Sequence, residues 1–260
     1  MSLTLLQLAL AALSGAAVAL LLSVFGGGGS VLAVPLLLYV VGVRDPHAAV
    51  GASAAGVALN ALTALAGHAR AGRVRWGPAT AFALFGVVGA WGGATLAQRI
   101  DGRSLLLAFA AAMAAVGLAM LRPQTAADAG DIRLNRRSAP RLVAAGLGVG
   151  AASGFFGIGG GFLIVPGLMT ATGMGLALAQ ASSLVSVFAF GTTTAVTYAA
   201  SGWLQPDLIL AMAAGGVVGA AAGLPLAARL GRNATLGRRL FAGLIVLTAI
   251  YVALRALAGG

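Results

Sequence analysis

Phe25-Gly26-Gly27-Gly28-Gly29-Ser30-Val31-Leu32-Ala33-Val34-Pro35 has a counterpart 131 residues on: Phe156-Gly157-Ile158-Gly159-Gly160-Gly161-Phe162-Leu163-Ile164-Val165-Pro166. Each copy joins the end of one apolar stretch to a short second stretch that carries a proline. Further on, Gly86-Val87-Val88-Gly89-Ala90 returns 130 residues later as Gly216-Val217-Val218-Gly219-Ala220, and Arg99 aligns with Arg229. Two Gly-rich matches in the same order at nearly one offset mark an internal repeat. The one-residue slip falls in the loop around Arg44–His47.

Working outward, each half divides into five apolar stretches: 3–25, 31–43, 48–67, 77–97 and 104–121, then 142–156, 162–174, 176–200, 208–228 and 239–256. A helix needs ~20 apolar residues to cross a bilayer. Most stretches qualify. The second of each half does not, being short and interrupted by Pro35 or Pro166. Short interrupted segments at matching places suggest broken or re-entrant helices. Such backbone is tolerated at that depth only where it is buried in protein or lines a cavity. The expected architecture is an all-α polytopic membrane protein of two repeats, residues 1–121 and 142–260, joined by a polar linker at 122–141. Met1-Ser2-Leu3-Thr4 has no basic n-region, so the first segment reads as retained rather than cleaved.

Composition agrees. Hydrophobic residues make up 60% of the 260-residue chain, charged residues 8%, and mean hydropathy is +1.01. A soluble domain carries about a quarter charged residues, so soluble and disordered classes are excluded. The chain lacks cysteine, which removes disulfides and thiolate metal sites. No metal site or cofactor is expected. The net charge of +11 would suggest nucleic acid in a soluble protein. Here its distribution suggests topology instead, and no nucleic-acid partner.

All sixteen basic residues are arginines. The loop after the third segment holds Arg70, Arg73 and Arg75, whereas its counterpart at 202–207 holds only Asp207. The loop after the fourth holds Arg99 and Arg103, and its counterpart Arg229, Arg232, Arg238 and Arg239. Arginine marks the cytoplasmic side of short loops, so the swap predicts repeats of inverted topology. Tracing the chain gathers twelve arginines on one face, with the linker. Only Arg44, Arg99, Arg103 and Arg255 fall on the other, with both termini. The crowded face is expected to be cytoplasmic and the termini periplasmic.

The Gly-rich tips admit two readings. Glycine allows sharp turns and close approach to a ligand, and a helix start offers free N–H groups to an anion. Two tips arriving from opposite faces would then form one cavity lined with amides. Alternatively, the glycines serve helix packing, as Gly146, Gly150 and Gly154, and Gly215, Gly219 and Gly223, are expected to do by their spacing of four. Intramembrane polar residues are functional candidates. The candidate substrate-binding set is Gly27, Gly28, Gly29, Ser30, Ser53, Asn60, Gly159, Gly160, Gly161, Gln180, Ser182 and Ser183. Thr192 and Thr194 read instead as bonding back to their own helix or bridging to neighbours. All five aspartates fall at loops or segment ends, so no buried carboxylate relay is visible.

The paired Gly-Val-Pro motifs and Gln180-Ala181-Ser182-Ser183, together with the inverted halves and the size, resemble the TauE/SafE sulfite exporter family of bacterial membrane proteins. The likeness covers nearly the whole chain. Ser30 departs from the second copy's pattern. The resemblance implies a secondary transporter of sulfite, sulfonate or thiosulfate type anions, usually outward across the inner membrane, working by alternating access. A passive anion channel, or a carrier of another small organic anion, remains the alternative. Two copies could pair as a homodimer.

An enzyme is not expected. Ser53 and His68 faintly echo a serine protease pair, but on one unbroken helix they would lie ~22 Å apart, against the ~3 Å a Ser–His bond needs. With no lysine in the chain there is no nucleotide-binding P-loop.

Overall fold

A computed structural model describes residues 4–121, 139–157, 161–230 and 234–258. Most of the 122–141 linker, with Gly159 and Gly160 of the second tip, lies outside them. Among the described residues the chain is helical, without strands.

Helix α1 spans Leu5–Phe25 and opens with a capping box: Gln7 N–H donates to the Thr4 hydroxyl (3.2 Å), and Thr4 N–H donates to Gln7 Oε1 (3.1 Å). At Gly26 the chain reverses. It runs back as a 3-10 turn (Gly26–Leu32), one α turn (α2, Ala33–Leu36) and a π turn (Leu37–Val41). These irregular turns fit a stretch holding four glycines and Pro35. Gln7 Nε2 donates to the Val41 carbonyl (3.5 Å), so the return segment reaches the level at which α1 began. The broken segment expected here is thus one arm of a full-length hairpin.

Helix α3 (Pro46–Arg70) starts on Asp45, whose carboxylate accepts from His47 N–H (2.7 Å) and Ala48 N–H (3.1 Å), with proline in the first turn. Then follow α4 (Trp76–Ala97), α5 (Gly102–Leu121), α6 (Ala139–Phe156), α7 (Gly161–Thr172), α8 (Leu176–Ala200), α9 (Pro206–Leu230) and α10 (Ala234–Ala258). Six stretches among the described residues are long and apolar enough to cross a membrane. The first of them, Leu5–Val41, is the hairpin folded at Gly26.

The helices pair as α1 with α9, α4 with α6, α3 with α8, and α5 with α10. Small residues carry the first two pairings, as lipid offers no hydrophobic drive between helices. A side chain on Gly146, Gly150 or Gly154 would meet the backbone of Phe82, Gly86 or Ala90. One on Gly215, Gly219 or Gly223 would meet that of Ala12, Ala16 or Leu20. The spacing of four therefore does what was expected of it. On the far side of α4, Leu84 (71% exposed), Val88 (60%) and Trp91 (60%) form an apolar stripe suited to acyl chains.

The central pair crosses in opposite directions: Gly51 faces Tyr198, while Gly191 faces Ala54 and Ala58. Helices α1 and α3 run the same way. Asn60 Nδ2 donates to Gly15 O (3.2 Å), and His68 Nε2 lies 3.0 Å from Ser23 O. A carbonyl only accepts, so that contact puts the His68 proton on Nε2.

Candidate functional site

Gly26 adopts φ 63° and ψ −147°, a conformation essentially confined to glycine. That lets the hairpin turn press against the Gln180 backbone on α8. Gly27 N–H donates to Ser183 Oγ (2.9 Å), and the same hydroxyl donates to Gln180 O (2.7 Å). Ser30 Oγ donates to Gly27 O (2.8 Å). Every residue from Gly26 to Leu32 is buried. Gly27, Gly28, Gly29, Ser30, Gln180 and Ser183 are therefore brought to one place. Gly29 serves the fold as well, since a side chain there would strike the Leu21–Leu22 backbone. Ser182 lies beside them on α8 but turns elsewhere, accepting from Arg75 N–H (2.9 Å) in the loop before α4.

The second tip begins at Gly157, φ 65°, whose N–H donates to Ser153 O (3.0 Å). A side chain there would meet Val50 on α3. Gly161 opens α7. Ser53, one turn beyond Val50, is buried with no hydrogen-bond partner among the described residues.

Among the described residues, the two tips stand apart. Ser23, just before the first, meets His68, whereas the second meets Val50. Between Val50 and His68, α3 rises ~27 Å, close to the ~30 Å thickness of a hydrocarbon core. Each tip thus stands near one end of the α3–α8 pair. Asn60 lies apart from both. Its partner Gly15 is eleven residues before Gly26 on α1, hence ~16 Å away along the axis. Its amide wedges between α1 and α9, against Gly216.

On the central pair, four hydroxyls are buried without a partner among the described residues: Ser53, Ser186, Thr194 and Tyr198. Thr194 thus differs from the expectation that it bonds back to its helix; Thr193 does so instead, to Ala189 O (2.8 Å). An unpaired buried hydroxyl is costly, and such groups can donate to an oxyanion without adding charge. Sequence reading passed over Ser186 and Thr194 because hydroxyls in membrane helices usually satisfy themselves. The Ser53–His68 pair cannot meet, because α3 is unbroken.

Residues 11–252 match the family model described as "Sulfite exporter TauE/SafE". Two "Probable membrane transporter protein" sequences, from two strains of Xylella fastidiosa, are each 45% identical over 240 residues, 92% of either chain. "Probable membrane transporter protein YdhB" of Bacillus subtilis is 25% identical over 204 residues, 76% of this chain and 80% of that one. No solved structure matches.

Proposed function

Because the chain belongs to the TauE/SafE sulfite exporter family of membrane transporters, we propose that it is a secondary carrier moving small sulfur-containing anions, of sulfite, sulfonate or thiosulfate type, outward across the inner membrane. It works by alternating access between two inverted halves, with the linker cytoplasmic and both termini periplasmic. One observation carries this reading: Gly26 rests on Gln180, and Gly157 on Val50. Each half's tip presses on the other half's long central helix, at positions related by the repeat offset. The pairings of α1 with α9 and of α4 with α6 exchange under the same offset.

The tips then act as two gates, one near each face. The path follows the α3–α8 seam, where Ser53, Ser186 and Thr194 hydroxyls and the tip amides replace water around the anion. No aspartate lies within the α3 or α8 spans to repel it.

The test is efflux from proteoliposomes loaded with labelled sulfite, thiosulfate or a sulfonate. Saturable efflux that a second sulfur anion competes away is the expected result. No movement of any of the three would sink the proposal. Rapid flux that neither saturates nor shows competition would favour a passive anion channel.

A further inference from the structure

The face opposite Arg70, Arg73 and Arg75 carries few arginines, yet three of them line one cleft. A cleft of ≈ 390 Å³ is lined by Arg44, Arg103 and Arg255, together with Tyr39, Pro46 and apolar neighbours. The three come from distant parts of the chain: the loop before α3, the first turn of α5, and the last turn of α10.

The packing that gathers them is specific. A side chain on Gly102 would meet the Pro46 ring, so the start of α5 lies directly on the loop that carries Arg44. Tyr39 meets Tyr251 edge-on, ring centroids 5.1 Å apart, which ties the return segment to α10. Arg255 Nε donates to Tyr251 Oη (3.2 Å), and its guanidinium lies 5.6 Å from that ring's centroid. This bond fixes the Arg255 plane and leaves its other N–H groups for a ligand.

Three like charges around one cleft repel each other unless something neutralises them. The nearby acids cap helices outside the cleft. Asp45 caps α3 through His47 and Ala48 N–H groups, and Asp101 Oδ2 accepts from Ser104 N–H (2.8 Å) at the start of α5. The Ser104 N–H holds the Asp101 carboxyl below its ordinary range, so it stays a charged cap. Neither carboxylate lines the cleft. The repeat does not demand this arrangement either, because the second half has no arginine in the matching loop, Gly173-Met174-Gly175.

We propose that this cleft is an oxyanion-binding site for a sulfonate-like or phosphate-like group, held by Arg44, Arg103 and Arg255 with Tyr39 beside them. Guanidinium forks match such groups in shape and charge. The group belongs either to a soluble sulfur oxyanion or to an anionic lipid headgroup. That a soluble anion bound here exchanges with the transport path rests on the function proposed above; the site itself does not.

The test is equilibrium binding to the purified full chain, first in neutral detergent and then in nanodiscs. Sodium sulfate and sodium sulfite are the soluble probes, and phosphatidylglycerol in a phosphatidylcholine nanodisc is the lipid probe. The triple variant Arg44→Gln/Arg103→Gln/Arg255→Gln is expected to weaken the bound probe at least about tenfold, and the triple Arg→Lys variant to recover part of that. Sulfate binding lost in the Gln variant assigns a soluble anion. Phosphatidylglycerol retention, counted by native mass spectrometry and lost in the same variant, assigns a lipid. Equal binding of all probes by wild type and the Gln variant overturns the site. Should the triple variant aggregate, the single Arg44→Gln change at an exposed side chain decides by the same criteria. No flux is measured, so a chain that binds here yet moves no sulfur anion would refute the transport reading and leave the site standing.

Discussion

Replacing Gly26 with valine is expected to destabilise the protein by about 2–6 kcal/mol and to abolish transport. Two costs combine. The φ of 63° with ψ of −147° excludes residues with a Cβ at about 1–3 kcal/mol. The added side chain would also run into the Gln180 backbone, which cannot step aside as a flexible side chain can. Overpacking of this kind adds about 1–3 kcal/mol. Gly157→Val is the natural comparison. It too stands at positive φ, but its nearest obstacle is the Val50 side chain, with the Val50 carbonyl behind it, whereas all three nearest obstacles at Gly26 are backbone. Its loss should be the smaller of the two. Thermal unfolding in detergent, monitored by tryptophan fluorescence, ranks the pair. A Gly26→Val protein melting with the wild type would contradict the docking of the first tip on α8.

The second large effect is expected at Ser183. Its hydroxyl accepts from Gly27 N–H and donates to Gln180 O. Ser183→Ala strands a buried donor, which costs about 1–3 kcal/mol. Because that donor belongs to the first tip, efflux should fall at least tenfold, a barrier change of about 1.4 kcal/mol. Ser182→Ala provides the control. Ser182 is equally buried and also accepts a backbone N–H, but from Arg75 in the loop before α4 and not from the tip. Its loss should cost a similar ~1–3 kcal/mol of stability and leave efflux nearly unchanged. Equal efflux from the two variants would show that the first tip takes no part in transport.

Much of this was legible in the chain. The duplicated Gly-Val-Pro stretch marks where α1 reverses, and glycines spaced four apart mark the α4–α6 and α1–α9 contacts. Such features are local, so periodicity and residue size suffice to find them. The site was less legible. Asn60 looked like a lining residue because it is polar within a span, but its Nδ2 is held by Gly15 O on α1, and its Oδ1, without a partner among the described residues, packs against Gly216 on α9. Polarity announces a partner and does not say whether that partner is a ligand or a backbone carbonyl. Sequence predicts that the two tips face opposite ways, but not how far the α3–α8 pair sets Gly26 and Gly157 apart. Ser186 and Thr194 required knowledge of which hydroxyls lack a partner. The arginine cleft required knowledge that residues 44, 103 and 255 meet.

Alternating access requires two gates serving one path in turn. Counterflow tests this most directly. Proteoliposomes are preloaded with excess unlabelled sulfite, at a pH where it is ionised, and diluted into a trace of labelled sulfite. A carrier that exposes its site to one face at a time should accumulate label transiently above the outside concentration before it declines to equilibrium. Label that enters quickly but never overshoots, whatever the internal sulfite, would contradict alternating access and point to an open pore.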